Sequence, residues 1–467
     1  MQEQKLDRGL KNRHVQLIAI GGAIGTGLFL GAGKSIHLAG PSILFAYLIT
    51  GAVLFLIMRA LGELLLSNLS YHSFVDFVRD YLGEMTAFLT GWTYWFCWIS
   101  IAMADLTAVG LYTQYWFPTI PQWMPGLIAL VILLCMNLAT VKLFGEMEFW
   151  FALIKVIAIL ALIVTGIVMI ISGFSTDAGG ASFTNLWNHG GMFPNGVNGF
   201  ILSFQMVVFA FVGIELVGLT AGETENPEKV IPKAINNIPI RIIIFYIGAL
   251  LVIMSVYPWT AISPTESPFV QVFTVVGIVG AAGIINFVVL TSAASACNSA
   301  IFSTSRMVYS LAKEKNAPEK FAKLDKRKVP SNALFFSTAV VLISVALNYV
   351  MPEGVFTLVT SISTVCFIFI WGITVISHLK YRKTRPDLAK VNKFKMPFYP
   401  FANYLILAFL TFVLVVLAIA EDTRVSLMIT PVWFIALIVI YKARKRIMPH
   451  KDKKNEEGLV ADKVERG

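Results

Sequence analysis

Four glycines and a threonine crowd one short stretch of the first apolar run, Gly21-Gly22-Ala23-Ile24-Gly25-Thr26-Gly27. Each glycine inside a helix costs roughly 1 kcal/mol relative to alanine, so this density predicts a broken helix. A break at Gly25, Thr26 and Gly27 frees backbone amides, and with the positive end of the half-helix that follows they suit a carboxylate. The unwound carbonyls around Ala23 suit an ammonium group, and the small side chains let a ligand reach the backbone. A zwitterion meets both needs at once, which favours an amino acid over a sugar or a simple anion. Close helix packing is the plainer meaning of one glycine pair; a cluster this dense reads as a binding site.

Three charges lie deep in apolar runs. Glu215 follows Phe209-Ala210-Phe211-Val212-Gly213-Ile214, where a glycine again interrupts a helix. It stands roughly 22 Å along that helix at about 1.5 Å per residue, too deep for a short side chain to reach water. Carboxylates at such depth relay protons or pair with another group, and a hydrogen bond capping the broken helix is the structural alternative. Lys155 stands roughly 10 Å from the inner end of its run. Its stem reaches water by snorkelling from there, or its amine gains and loses a proton during a transport cycle; the spacing admits both. Asp105 is the remaining deep acid and a weaker candidate for the proton role. Glu223 and Arg306 lie nearer the inside ends, where pairing or gating is expected. The stretch Thr291-Ser292-Ala293-Ala294-Ser295-Ala296-Cys297-Asn298-Ser299 packs tightly or offers oxygens to an ion, packing being the commoner meaning.

The elements that position these residues must cross a membrane. Of 467 residues, 57% are hydrophobic and only 14% charged, far below the roughly 25% charge of a soluble domain. A span needs about 20 apolar residues, and about twelve runs qualify. They cover 15–36, 41–66, 85–115, 124–141, 148–172, 197–219, 238–259, 272–312, 331–350, 354–377, 400–419 and 427–446, the third and eighth long enough to project beyond the bilayer. The net charge of +10 is concentrated in two segments, 313–328 and 380–395, whereas the loops facing the other way offer only Lys34 and Arg424. This asymmetry places both termini in the cytoplasm and makes the basic charge a matter of topology and anionic lipid, with no nucleic-acid role. Arg59 and Glu63, four apart near an inner helix end, are spaced to pair. The four cysteines fall within spans and form no disulfide or zinc pattern. No cleavage site follows the basic start, so the first helix is expected to be retained. No cofactor motif, metal cluster or nucleophile–base pairing stands out, so an enzyme or an ATP-driven pump is not expected.

Five spans separate the two interrupted helices, which therefore cross in opposite directions. Interrupted helices at matching positions of two halves point to an inverted repeat with a shared site near the midplane. The expected organisation is a cytoplasmic N-terminus over 1–14 and a ten-helix core over 15–378, with repeats at 15–172 and 197–378. A basic cytoplasmic loop over 379–399, two further helices over 400–446 and a charged, disordered cytoplasmic tail over 447–467 complete it.

Four stretches resemble bacterial amino-acid permeases of the amino acid–polyamine–organocation superfamily. They are Gly21 to Gly27, Ala39-Gly40-Pro41 to Gly62-Glu63, Gly213-Ile214-Glu215-Leu216, and Ala221-Gly222-Glu223-Thr224-Glu225-Asn226-Pro227. The runs Gly91 to Trp98 and Gly145 to Ala152 are most similar to the D-serine/D-alanine/glycine transporter branch. The resemblance implies an all-α, LeuT-like fold with broken helices 1 and 6, alternating access, and proton-coupled uptake across the cell membrane. It implies that the substrate carboxylate rests on Gly25, Thr26 and Gly27, and that its ammonium meets carbonyls of Ala23, Phe209 and Val212, next to Gly213. It further implies a proton-coupling role for Lys155 and matches Glu215 to the family's sixth-helix acid. The expected substrate is a small neutral amino acid, alanine, glycine or serine of either hand. Proline, aromatic or GABA-like substrates, sodium coupling or exchange, and a sensor without net transport are the alternatives, because the expected contacts are to groups every amino acid shares.

Overall fold

In the computed structural model, residues 24–71, 73–139, 141–176, 179–215, 226–275 and 279–447 are described. Among the described residues the regular structure is helical apart from one two-residue antiparallel ribbon, 175–176 against 179–180. Nine helical stretches among the described residues are long and apolar enough to cross a bilayer, and two shorter apolar helices join them.

The first apolar run does not form one helix. It gives α1 (Thr26–Phe29) and α2 (Gly31–Ala39), and a 3-10 turn then leads into α3 (Ile43–Ser67). After these come α4 (Phe74–Leu82), α5 (Glu84–Gln114), α6 (Trp123–Asn137) and α7 (Val141–Ile171). The next run stops early, as α8 (Gly196–Ala210), followed by α9 (Pro227–Asn236), α10 (Ile238–Arg241), a π-helical stretch (Ile242–Gly248) and α11 (Ala249–Val256). The expected long eighth run is α12 (Pro268–Val275) and α13 (Val279–Lys313). The chain closes with α14 (Ser331–Val341), α15 (Ile343–Val350), α16 (Val355–Thr384), α17 (Pro386–Val391), α18 (Phe401–Ile419) and α19 (Arg424–Ile447).

Burial sorts these helices into centre and rim. The apolar windows of α5 and α16 are 83% and 72% buried, against 17% for α19, so the former form the core and the latter presents its side chains to lipid. α5 packs along both α13 and α16, and α1 touches α5, α8 and α13. The helix broken in the first run is therefore enclosed by protein, as bilayer physics requires of an irregular backbone at membrane depth.

The two basic segments lie on one face. Arg79 of α4 hydrogen-bonds Glu314 beyond α13, and α4 also packs on α16, which leads into the second segment. Glu63 does not pair with Arg59 as the spacing predicts. Fully buried, Glu63 lies 3.0 Å from His378 Nε2, accepts the Met396 N–H at 2.7 Å and pairs with Arg382 Nε at 2.6 Å. Arg59 instead donates to Asn236 at 3.0 Å and to the Lys395 carbonyl, with its guanidinium on the Phe394 ring. Tertiary partners on α16 and the segment behind α17 outcompete the four-residue spacing, because they satisfy more of each group's hydrogen-bonding capacity. Glu63→Ala would leave Arg382 and His378 facing an empty site. It is expected to cost about 3–5 kcal/mol of stability, read as a lower unfolding midpoint in detergent, with Glu63→Gln costing less.

Candidate functional site: a cavity at the helix break

Gly25 is extended (φ −124°, ψ −165°) and α1 begins immediately after it. The Gly25 carbonyl accepts the Leu28 and Phe29 amides at 3.1 and 3.2 Å, closing the first turn. The first amides of a helix have no partner within it, so those of Thr26 and Gly27 are presented to whatever occupies the break. Gly27 permits the approach of α8: a Cβ built there would stand 2.5 Å from Ala210 Cα. The second break mirrors the first. α8 ends at Ala210, turns join Phe211 N to Val208 and Val212 N to Phe209, and Gly213 takes φ +98°, a conformation that favours glycine. Tyr246 donates its hydroxyl to the Ala210 carbonyl at 3.0 Å, satisfying one acceptor that the break releases.

Between the breaks lies a cavity of about 40 Å³, lined by Gly25, Thr26, Gly27, Phe209, Ala210 and Val212, with Trp98, Ile101 and Asp105 of α5. Glu148 of α7 and Ala296 and Ser299 of α13 complete the wall. Asp105 is buried; its Oδ1 accepts from Thr26 Oγ1 at 2.9 Å, while Oδ2 accepts no hydrogen bond among the described residues. The acid on α5 thus fixes the one polar side chain of the glycine motif.

Glu148 is the functional candidate that sequence reasoning missed. It reads as the inner end of a span, yet it is 1% exposed and accepts from Ser295 Oγ at 3.0 Å. The signal was its spacing: seven residues, two turns, separate it from Lys155, which places both on one face of α7. Lys155 is 1% exposed and does not line the cavity; its charged neighbours are Glu148 and Asp105. Glu215 stands apart from this group. It is buried beside Tyr94 and Trp371, outside the cavity wall. Ser295 and Ser299, from the hydroxyl-rich stretch of α13, both face Glu148. Ala23 lies outside the described residues, as do Glu223, residues 1–23 and the tail from 448.

Fold and cavity define a helical, multi-span membrane protein enclosing a small polar site at two broken helices. The chain belongs to the amino acid permease family, whose sequence profile matches residues 14–454. Among its relatives it is 83% identical over 443 residues to an uncharacterized transporter, YdgF, of Bacillus subtilis, covering 95% of this chain and 97% of that one. It is 76% identical to the amino-acid permease AapA of the same organism, over 95% and 96% of the two chains. It is 57% identical to the D-serine/D-alanine/glycine transporter of Escherichia coli K12, over 93% of each. The relatives are transporters and permeases, so the chain is a membrane carrier of amino acids and not an enzyme.

Proposed function

We propose that this carrier takes small neutral amino acids, alanine, glycine and serine of either hand, into the cell together with a proton. The observation that carries the reading is the cavity itself. It joins the Gly25–Gly27 amides to two buried carboxylates, Asp105 and Glu148, in about 40 Å³. On a scale where one water takes about 10–15 Å³, that is room for about three waters, which suits a compact substrate. The similarity to a transporter named for D-serine, D-alanine and glycine supports the same size class. In this reading the substrate carboxylate accepts from the Gly25, Thr26 and Gly27 amides. Its ammonium faces carbonyls at Ala23, Phe209 and Val212, where the chain turns at Gly213, and Ile101 and Val212 bound its side chain. Lys155 with Asp105 and Glu148 handles the proton, and Glu215 stands at the second break, buried beside Tyr94 and Trp371. Both termini lie in the cytoplasm, on the side of the basic segments.

Purified carrier in proteoliposomes tests this. Labelled alanine, glycine or serine is expected to accumulate under an inward proton gradient, and collapse of the gradient by a protonophore should stop it. Unlabelled small amino acids should compete at least about tenfold better than proline or phenylalanine. Accumulation that follows a sodium gradient instead, or best competition by an aromatic amino acid, would overturn the coupling or the substrate class respectively.

A further inference from the structure

On the face that carries the basic segments, a second recess of about 580 Å³ opens between the ends of α3 and α16 and the amphipathic helix α4. Its wall includes Asn68, Asp80, Lys380, Arg385 and Leu388. Neither the Lys380 ammonium nor the Arg385 guanidinium hydrogen-bonds or ion-pairs with a described residue. The contrast with their surroundings is sharp. Arg59, Arg79, Arg327, Arg382 and Arg444 on the same face all donate to carbonyls, amides or carboxylates. The recess holds one acid, Asp80, and its carboxylate accepts the Tyr71 hydroxyl at 2.6 Å. Ser67 and Thr384 direct their hydroxyl protons to the Leu64 and Lys380 carbonyls. The Asn68 carbonyl oxygen is held by Ser70, leaving its amide N–H₂ as a third donor beside the two cations.

We infer that this recess binds a phosphate group, with Arg385 as a two-pronged donor, Lys380 as the second cation and the Asn68 amide completing the cradle. A guanidinium fork matches two oxygens of one phosphate, and a flexible ammonium closes on a third. The volume greatly exceeds a bare halide and accommodates a glycerophosphate. Two sources share that chemistry: a soluble phosphate ester and the headgroup of an anionic phospholipid. The rim favours the lipid, since Leu388 in the wall stands 41% exposed and Leu69, next in the chain to Asn68, stands 54% exposed, apolar surface that acyl chains would cover. The site also sits at the ends of two spanning helices, the depth at which headgroup phosphates lie.

The test uses the full-length carrier in a neutral detergent, with thermal unfolding followed as each probe is titrated. The probes are phosphatidylglycerol, phosphatidylcholine of the same chains, and soluble glycerol 3-phosphate. Phosphatidylglycerol is expected to protect the protein at lower concentration than phosphatidylcholine. Lys380→Gln with Arg385→Gln should weaken that protection by about thirtyfold, about fivefold for each cation lost. Asp80→Asn, which keeps both cations and removes the competing charge, should bind more tightly, a gain that misfolding does not produce. Protection by glycerol 3-phosphate with the same dependence on Lys380 and Arg385 upholds the site and assigns it to a soluble ester. Equal protection of wild type and double variant, weaker binding by Asp80→Asn, or no protection by any probe overturns it. If the double variant does not fold, the comparison of Asp80→Asn with wild type decides alone.

Discussion

Gly25→Ala is expected to abolish uptake while leaving the fold intact, and Gly27→Ala, two residues on, to do the damage through stability instead. The two glycines face different surroundings. A Cβ at Gly25 meets nothing within 4 Å, and the extended backbone there suits any residue. The added methyl therefore costs the fold little, and alanine gains about 0.4–1 kcal/mol from a stiffer unfolded chain. Yet Gly25 lines a cavity of only about 40 Å³, and a methyl group takes up much of that space beside the amides proposed to hold the carboxylate. Substrate affinity should fall at least about a hundredfold, close to 2.7 kcal/mol. At Gly27 the same methyl would stand 2.5 Å from Ala210 Cα and 3.1 Å from the Phe209 ring. Backbone cannot step aside as a flexible side chain does, so α1 and α8 must separate, at a cost of about 1–3 kcal/mol or more. Labelled-substrate uptake and the unfolding midpoint, measured on the same preparations, separate the two effects. Normal uptake by Gly25→Ala would show that the substrate does not rest on this break.

The helix breaks were legible in the chain because glycine acts locally. Its cost to a helix needs no tertiary partner, so Gly25, Gly27 and Gly213 announce themselves from sequence and reappear as an extended residue, a close approach and a φ of +98°. Asp105 was legible as a deep acid, though its partner was not: Thr26 lies 79 positions away, and nothing in either run encodes which helix faces which. Glu148 was missed for a related reason. At the assumed end of a span an acid is unremarkable, and only the packing of α7 on α13 puts it opposite Ser295. Arg59 and Glu63 show the converse. Their spacing invites a local pair, and long-range partners on α16 and near residue 396 take both side chains. Helix propensity and depth are thus written in the sequence, while the identity of facing side chains is a property of the fold.

Lys155→Ala should lose gradient-driven accumulation by at least about tenfold and keep exchange of substrate across the bilayer. Charge balance decides the outcome, because the membrane interior tolerates little uncompensated charge. Lys155, Asp105 and Glu148 are each about 1% exposed and are electrostatic neighbours. Fully ionised, the three carry one net negative charge; with one proton added they are neutral. A neutral group is the form that passes through a conformational change at low cost, since an uncompensated charge near the bilayer centre costs several kcal/mol. On the proposed proton coupling, binding one proton would license the return or loading step, and the stoichiometry expected is one proton per cycle. Removing the lysine leaves two acids and no cation, so one proton no longer produces neutrality and the gradient loses its hold on the cycle. The proposed substrate contacts at Gly25–Gly27 are untouched, because Lys155 does not line the cavity, so counterflow of labelled against unlabelled substrate should continue. Glu148→Gln sharpens the test. It removes one acid, making the remaining Lys155–Asp105 pair neutral without a proton, and should yield a carrier that exchanges freely but ignores pH. If Lys155→Ala accumulates substrate like wild type, the coupling proton is carried elsewhere, and Glu215 with Tyr94 and Trp371 becomes the group to test.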